Sequence, residues 1–446
     1  MNRISSQFDS PSPKRLCYTS PIDPQTGRLE TVRLEHVPYS KSYMIRVFAL
    51  AFLSGSSDLI EVWRGESKSC QDIDYMREAL LALGDTDAKH IPVGSAGAVW
   101  RFLTAIAALS TDRPILFKGT SRLFARPIDP LIESLQLLGA NIDFDTTRVE
   151  QTTIFPPTSR LHGGEIASEV GENSSQFLSA LMLIAPYLSS PLKIHIHKDQ
   201  RSKPYINLTY SLIEKAGAKI SEERGIITIE PSQYDRAKVE QLLLHPETDW
   251  TAVSYPMGWC AIPEAPQSIF IPNCYRESLQ GDIVLSKVME SFGVRTRFFP
   301  TGILIERVGN DKIDRLYDQD LSDNIDLVPT LFTTCLALGR PFRFRRIGAL
   351  RYKESDRISS LIEMANRLGY QVIFEGEELR WDGTPPSPMN SPITINPHED
   401  HRIAMALTVF TFKKEGIYLE DPSVVEKSYT HFWEDAKSVG ITLVDN

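Results

Sequence analysis

The segment Pro130-Leu-Ile-Glu-Ser-Leu-Gln-Leu-Leu-Gly139, with Ala140-Asn-Ile-Asp-Phe144 after it, decides the fold class. Its apolar residues recur at the i, i+3, i+4 and i+7 spacing of an amphipathic helix, and its glycine suits the left-handed position that ends many helices. The alternation of apolar and polar residues in the second segment is typical of a half-buried β-strand. A helix, a glycine turn and a strand are therefore predicted in succession.

The same pattern recurs through the whole chain. Other segments of helical periodicity also stop at a glycine, at Gly84, Gly217, Gly293, Gly369 and Gly440. With Gly139 included, these glycines are separated by 55, 78, 76, 76 and 71 residues. A period this regular indicates a supersecondary unit that is repeated six times.

A second kind of helix is predicted upstream of each glycine-ended helix. These segments are apolar on nearly every face, which is typical of buried helices. The first turn of a helix leaves N–H groups unpaired at the positive end of the dipole, so it needs polar caps or bound anions. The N-termini of these helices are therefore predicted to converge on an anion-binding site. They begin near Ser42, Ser95, Ser174, Asp249, Asp326 and Asp400.

Three of the units precede about residue 245 and three follow it, which predicts an α/β protein of two similar domains. One domain is predicted to comprise residues 39–246, and the other residues 1–38 together with 247–446. The segment Met1–Lys14 is polar and is expected to be a short flexible arm. Two chain crossings between the domains would make a hinge for closure over a ligand.

Composition restricts the classes of partner. The net charge is −9, and a pI near 5.6 argues against nucleic acid and anionic membranes as partners. No apolar run reaches the roughly 18 residues of a membrane span. Five cysteines without a C-x-x-C pair favour a reduced, cytoplasmic setting. Any anion that the protein binds must therefore meet a local cluster of basic residues.

Polar and basic motifs lie at the starts of the buried helices and between the units. Taken singly they decide little, because a lone Lys or Arg is usually a solvated surface charge and a Ser pair is usually a helix cap. His398 and His401 lack a further ligand cluster, so no metal is predicted. The motifs are Ser40-Lys-Ser42 with Arg46, Ala96-Gly97 with Arg101, Arg122 with Arg126-Pro-Ile128, Ser174-Ser-Gln176, Ser202-Lys-Pro-Tyr205, Asp326, Lys353-Glu-Ser-Asp-Arg357, Asp400-His-Arg402 and Lys427.

In combination and in this order, the motifs resemble those of the enolpyruvyl transferases, in the branch that acts on shikimate 3-phosphate. The resemblance implies two domains, each of three β-α-β-α-β-β units around buried helices in an inside-out α/β barrel, with the active site in the interdomain cleft. It also implies transfer of the enolpyruvyl group of phosphoenolpyruvate to the 5-hydroxyl of shikimate 3-phosphate, by addition and elimination. A monomer without cofactor or metal is expected.

The resemblance also implies residue roles. Asp326 would act as the base, Glu354 and Lys41 would deliver protons, and His401 would be an auxiliary polar group. Phosphoenolpyruvate would be bound by Lys41, Gly97, Arg122, Gln176, Arg357, Arg402 and Lys427. Shikimate 3-phosphate would be bound by Lys41, Ser42, Arg46, Ser174, Ser175, Gln176, Ser202, Tyr205, Asp326 and Lys353.

Several positions depart from the family pattern, at Tyr39, Ser95, Ala98, Phe102 and Ala349. Two alternatives therefore stay open. One is a non-catalytic or altered-specificity relative that only binds phosphorylated ligands. The other is the enolpyruvyl transferase that acts on UDP-N-acetylglucosamine. That enzyme carries a catalytic cysteine between the regions of Arg101 and Arg126, where this chain has none.

Overall fold

The computed structural model describes residues 13–19, 31–109, 113–144, 152–171, 174–197, 199–309, 315–388 and 392–445. Residues 1–12 of the predicted arm lie outside the described residues, and Lys14 begins the first strand. The strands are β1 Lys14–Tyr18, β2 Val32–Arg33, β3 Ile91–Gly94, β4 Ile115–Gly119, β5 Asn141–Phe144, β6 Thr152–Phe155, β7 Gly164–Ile166, β8 Leu192–His195, β9 Lys219–Glu223, β10 Ile226–Glu230, β11 Ser268–Pro272, β12 Val294–Phe299, β13 Gly302–Arg307, β14 Tyr317–Asp320, β15 Phe342–Arg345, β16 Ile373–Glu375, β17 Glu378–Trp381, β18 Ile393–Ile395, β19 Ile417–Leu419 and β20 Ile441–Val444.

Fifteen α-helices lie among these strands in the described residues. They are α1 Lys41–Leu53, α2 Ser57–Val62, α3 Gln71–Gly84, α4 Gly97–Leu109, α5 Ser121–Phe124, α6 Asp129–Leu137, α7 Ser175–Ile184, α8 Lys203–Lys215, α9 Arg236–Leu244, α10 Trp250–Ala261, α11 Leu285–Val288, α12 Val328–Leu338, α13 Arg357–Arg367, α14 His401–Leu407 and α15 Phe432–Ser438. Among the described residues, no helix is long and apolar enough to cross a membrane.

The described strands form five mixed sheets of four strands each. The orders are β3-β4-β6-β5, β7-β8-β10-β9, β12-β13-β11-β2, β14-β15-β17-β16 and β18-β19-β1-β20. Each sheet belongs to one of the predicted units. The first unit differs, because α1, α2 and α3 follow one another with no strand among the described residues 41–84.

The glycine turns of the repeat are observed. Gly139, Gly217, Gly293, Gly369 and Gly440 have φ between 77° and 102°, the left-handed region. At Gly440 an added Cβ would also lie 2.1 Å from the backbone oxygen of Thr19, so that position excludes any side chain. Gly84 differs again, since it is the last residue of α3.

The apolar helices are buried as predicted. Nearly all residues of α4, α7, α10, α12 and α14 are buried, and so is the middle of α1 from Tyr43 to Ala51. Their side chains belong to two hydrophobic clusters. One contains buried residues from Tyr43 to Leu243, and the other contains Leu16, Leu34, Val37 and residues from Trp250 to Ile441.

The two chain crossings lie side by side. Tyr39 and Thr248 form an isolated antiparallel bridge. Next to it, the amide of Ser40 donates to the carbonyl of Glu247 at 2.7 Å. The two segments are therefore hydrogen-bonded to each other.

Candidate active site

The N-terminal ends of the six buried helices meet at one cavity, whose volume is about 350 Å³. Its lining includes the first turn of α1, α4, α7, α10 and α14, and the 3₁₀ turn Ile325–Leu327 that leads into α12. The convergence predicted from the sequence is therefore present. Of the predicted site residues, the lining contains Lys41, Ser42, Arg46, Gly97, Ser174, Ser175, Gln176, Ser202, Tyr205, Asp326, Lys353, Glu354 and Arg402.

Side-chain caps occupy some of these helix ends. Ser40 Oγ accepts from the amide of Tyr43 at 3.3 Å, and Ser174 Oγ accepts from the amide of Gln176 at 3.3 Å. Each of these two caps satisfies only one of the four free N–H groups of a first turn. The cavity therefore keeps the positive end of several helix dipoles, which favours anionic ligands.

Arg357 organises the acidic side of the site. Its guanidinium is fully buried and donates to three carboxylates. The distances are 2.8 Å from Nε to Asp400 Oδ2, 3.0 Å from Nη1 to Asp326 Oδ1 and 2.7 Å from Nη2 to Glu354 Oε2. Burial opposes the charge, but the three carboxylates outweigh it and raise the pKa of Arg357.

Asp326 is surrounded by cationic groups. Besides Arg357, Lys353 Nζ lies 3.3 Å from Oδ1 and Arg402 Nη2 lies 3.6 Å from Oδ2. The hydroxyl of Tyr205 donates to Oδ2 at 3.1 Å. Burial alone would raise the pKa of Asp326, but the cations hold it well below its usual range. Asp326 is therefore ionised at neutral pH.

Glu354 and Lys41 are held in opposite charge states. Burial opposes the ionisation of Glu354, but Arg357 and Lys427 outweigh it and lower its pKa well below the usual value. Burial opposes the charge of Lys41, but Asp72, whose Oδ2 lies 2.9 Å from Nζ, and Glu354 together raise its pKa. Lys41 therefore carries a proton, whereas Glu354 has to acquire one before it can act as an acid.

Comparison with known proteins assigns the family. Residues 83–436 match the family model described as EPSP synthase (3-phosphoshikimate 1-carboxyvinyltransferase). This chain belongs to the EPSP synthase family. A 3-phosphoshikimate 1-carboxyvinyltransferase of Bacteroides fragilis (strain YCH46) is 35% identical over 415 residues, which cover 91% of this chain and 95% of the relative. Another, of Methanoculleus marisnigri, is 29% identical over 360 residues, 79% of each chain.

Solved structures show the same fold at lower identity. EPSP synthase from Acinetobacter baumannii superposes with a TM-score of 0.66 at 17% identity, over 96% of this chain and 99% of that one. The enolpyruvyl transferase NikO from Streptomyces tendae superposes with a TM-score of 0.64 at 14% identity, over 97% of this chain and 98% of that one. The predicted two-domain α/β fold and the enzyme interpretation are confirmed. At the level of the family, the predicted enolpyruvyl transfer is confirmed too.

Arg122 and Arg126 occupy different places in this EPSP synthase fold. The side chain of Arg122 is 49% exposed, and its Nη1 lies 2.9 Å from Glu399 Oε2. Arg126 instead lines the central cavity against Gly97, where an added Cβ would lie 2.6 Å from Arg126 Nη1. A side chain at position 97 would therefore make the guanidinium shift. The sequence analysis quoted Arg126 within the Arg-Pro-Ile motif but did not assign it to the site, whereas the structure places it in the lining.

A second cavity of about 310 Å³ adjoins the first, since Arg126 and Glu354 line both. Of these two cavities, Lys427 and Arg122 line only the second. Lys427 Nζ reaches across the cleft to the backbone oxygen of Ser95 at 3.4 Å. Of the three predicted cations that the central cavity lacks, Arg122 and Lys427 therefore line the adjoining cavity, and Arg357 lies buried behind Asp326 and Glu354.

His401 lies below the cavity surface and is fully buried. Neither ring nitrogen has a hydrogen-bond partner among the described residues. Burial lowers the pKa of His401 well below its usual value, so the ring is neutral. Its expected role as an auxiliary polar group stays a prediction.

Two arginines on the other side of the cavity pair with neutral acceptors. Arg101, which the sequence analysis placed in a motif but not in the site, donates to Gln176 Oε1 at 2.6 Å and to the carbonyl of Pro127 at 2.6 Å. It thereby orients Gln176. Arg46 donates to the carbonyl of Ser42 at 2.7 Å and to Thr209 Oγ1 at 2.7 Å. Burial lowers the pKa of Arg46 to about 10, which leaves it charged at neutral pH.

The departures from the family pattern fall into two groups. Ala98 and Ala349 line the cavity, so they directly affect what it can bind. Phe102 lies behind the lining, with its ring 5.1 Å from the Arg46 guanidinium. Tyr39 belongs to the paired crossings. Other lining residues that the sequence did not assign to the site are Asp72, Asp249, Thr251 and Tyr352.

Proposed function

We propose that the central cavity is where this chain transfers the enolpyruvyl group of phosphoenolpyruvate to the 5-hydroxyl of shikimate 3-phosphate. The observation that carries the proposal is the lining itself. It combines a protonated Lys41 with Arg126 and Arg402, and an ionised Asp326 with Glu354, beside several helix N-termini. Two small anions need such a cluster, because the protein as a whole is acidic.

Phosphoenolpyruvate is assigned to the side of Gly97, Arg126 and Lys427. Arginine forks pair bidentately with phosphate and carboxylate, which suits both ends of this substrate. Arg126 replaces the predicted Arg122, because Arg122 is half exposed and paired with Glu399. Lys41, Gln176 and Arg402 complete this subsite from the central cavity.

Arg357 is assigned an indirect role in the phosphoenolpyruvate subsite. An arginine has five N–H donors. Four hydrogen bonds from Arg357 already go to Asp400, Asp326 and Glu354. Arg357 therefore acts on the substrates chiefly by fixing the two acidic side chains.

Shikimate 3-phosphate is assigned to the side of α7 and α8. Ser174 and Ser175 lie at the start of α7, and Ser202 is the N-cap residue of α8 without a side-chain capping bond. These hydroxyls and the two helix dipoles suit a phosphate group. Asp326 accepts from the ring hydroxyls, and Lys353 adds a cation.

Proton transfers follow from the charge states. Asp326 takes the proton of the 5-hydroxyl as its oxygen attacks C2 of phosphoenolpyruvate, and Lys41 or Glu354 protonates the methylene carbon. The tetrahedral intermediate then loses phosphate, and a proton leaves the new methyl group to restore the double bond. Two bound anions next to Glu354 would raise its pKa, which lets it take part in both steps.

The predicted domains, residues 39–246 and residues 1–38 with 247–446, form the two walls of the cavity in this proposal. The two separate hydrophobic clusters support the division. The paired crossings at Tyr39 and Thr248 supply the hinge.

A phosphate-release assay with purified protein and both substrates tests the proposal. Release is expected only when phosphoenolpyruvate and shikimate 3-phosphate are both present, and it should be lost in Asp326→Asn. Ligand binding by calorimetry without turnover would contradict the proposal and would favour a relative that only binds phosphorylated ligands.

A further inference from the structure

We propose that Arg201 and Glu377 form an interdomain clamp that positions Ser202 and Tyr205 for shikimate 3-phosphate. Arg201 belongs to the wall that carries α8, and Glu377 belongs to the opposite wall, next to β17. The inference rests on the proposed function for its substrate. The clamp itself is a feature of the protein alone.

The pair is bidentate. Arg201 Nη1 donates to Glu377 Oε1 at 2.9 Å, and Nη2 donates to Oε2 at 2.7 Å. The two side chains are 33% and 42% exposed, so solvent screens the pair only in part. A two-point contact of this kind fixes the orientation of both partners as well as their distance.

Each partner is joined directly to a segment that lines the cavity. Arg201 immediately precedes Ser202 in the chain. The side chain of Glu377 lies against Gly348. An added Cβ at Gly348 would lie 2.7 Å from Glu377 Oε1. The carbonyl of Glu377 also accepts from the amide of Ile347 at 3.1 Å. From Gly348 a 3₁₀ turn leads to Lys353 in the lining.

Other hydrogen bonds cross the cleft at the same seam. The amide of Ser202 donates to the carbonyl of Ser322 at 3.1 Å, and the amide of Lys203 donates to Asp323 Oδ1 at 3.3 Å. Arg346 Nη2 donates to the carbonyl of Asp199 at 3.1 Å. The Arg201–Glu377 pair is therefore one of several neighbouring contacts that join the two walls of the cavity.

The backbone at this seam is held in an unusual conformation. Ser202 has φ 55° and Arg346 has φ 59°, both in the left-handed region that non-glycine residues rarely adopt. Such residues persist where surrounding contacts hold them. Since Tyr205 lies in the first turn of α8 and donates to Asp326 at 3.1 Å, loss of the clamp would loosen this contact too.

Enzyme kinetics provide the first test, with Arg201→Ala and Glu377→Gln. The KM for shikimate 3-phosphate is expected to rise between about twofold and fivefold, as for a partly exposed ion pair, while kcat stays within about twofold. The charge-swapped double variant, Arg201→Glu with Glu377→Arg, should recover part of the loss.

Glu378→Gln is the matched control. Glu378 is the next residue and also forms a bidentate pair, with Arg343 at 2.8 Å for both contacts, but within a single sheet. The KM of the Glu378→Gln variant for shikimate 3-phosphate should equal that of the wild type. Equal KM values for Glu377→Gln and Glu378→Gln would overturn the clamp.

Hydrogen exchange separates the clamp from the proposed function, because it needs no substrate. The amides of Ser202 and Lys203 should exchange faster in Arg201→Ala and Glu377→Gln than in the wild type or Glu378→Gln. Faster exchange in a protein without turnover would keep the clamp and reject the function. Unchanged exchange with normal wild-type turnover would reject the clamp alone.

Discussion

The two walls of the central cavity treat buried charge in opposite ways. On the wall that carries α13, Arg357 is bonded to three carboxylates, and Lys353 and Arg402 share one of them. On the wall that carries α4 and α7, Arg46 and Arg101 are bonded to hydroxyl, amide and carbonyl oxygens. Both walls carry buried cations, but on the second wall Arg46 and Arg101 are bonded only to neutral acceptors, although Lys41 there pairs with Asp72.

The difference indicates that the two walls have different functions. Paired charges fix protonation states, since the cations around Asp326 hold its pKa well below its usual range. Arginines bonded only to neutral acceptors keep a net positive potential, which attracts anions into a cleft. The first wall is therefore suited to proton transfer and the second to anion binding.

The largest effect is expected for Arg357→Ala. It would leave Asp326, Glu354 and Asp400 buried without their shared cation, and breaking a buried pair costs about 3–5 kcal/mol. The free energy of unfolding, measured with urea, should fall by that amount, and turnover should be lost. Arg343→Ala, which removes an exposed pair with Glu378, should change it by less than about 1 kcal/mol. Similar losses in the two variants would contradict the division between the walls.

Asp326→Asn should mainly affect catalysis. The amide cannot accept the hydroxyl proton, so kcat should fall by about 10²- to 10⁴-fold, the usual contribution of a general base. The fold should survive, because Arg357 keeps Glu354 and Asp400 as partners. Stopped-assay kinetics and circular dichroism measure both quantities. Normal turnover would reject Asp326 as the base.

Arg126→Ala and Arg122→Ala compare a cavity arginine with a rim arginine. Loss of a hydrogen bond to a charged group costs about 1.5–3 kcal/mol, so the KM for phosphoenolpyruvate should rise roughly ten- to hundredfold in Arg126→Ala. Arg122→Ala removes only an exposed ion pair, so the rise should stay within about fivefold. The reverse order would restore the sequence-based assignment to Arg122.

Local patterns predicted the fold well. The helix and strand around Gly139 and the six buried helices depend on periodicity within about a dozen residues, which the sequence displays directly. The first unit lacks a sheet because no alternating segment follows Gly84. A repeat alone cannot reveal such an incomplete copy.

Side-chain placement was harder to predict than the fold. Arg122 lies in the short helix Ser121–Phe124 and points to the rim, whereas Arg126 follows that helix and reaches Gly97. A spacing of four residues in the sequence does not distinguish these directions. The Arg201–Glu377 clamp joins residues 176 positions apart, so no pattern within a short stretch of sequence predicts it.

The smallest effect concerns Asp282, a buried carboxylate near the cavity that lacks a cation partner among the described residues. Thr251 Oγ1 donates to it, and Asn324 Nδ2 donates to Oδ1 at 2.9 Å. Burial raises the pKa of Asp282 from 3.8 to about 6, opposite to the shift of Asp326. The native state thus binds the proton more tightly than the unfolded chain. Its contribution to stability is therefore complete below pH ~4 and is lost as the pH rises to about 6.

Asp282→Asn should remove this pH dependence. Relative to the wild type, the variant should gain unfolding free energy between about pH 4 and 6, by an amount on the order of 2–3 kcal/mol, and the difference should then level off. Urea unfolding at several pH values measures it, and a constant offset at all pH values is not part of the effect. Asp320→Asn is the control of opposite sign, because Ser322 and Arg346 outweigh burial and lower the pKa of Asp320. The difference in unfolding free energy between Asp320→Asn and the wild type should shrink as the pH falls below about 4. A flat difference for Asp282→Asn would mean that neutral donors stabilise a buried carboxylate here as well as cations do, and the contrast between the two walls would lose its electrostatic basis.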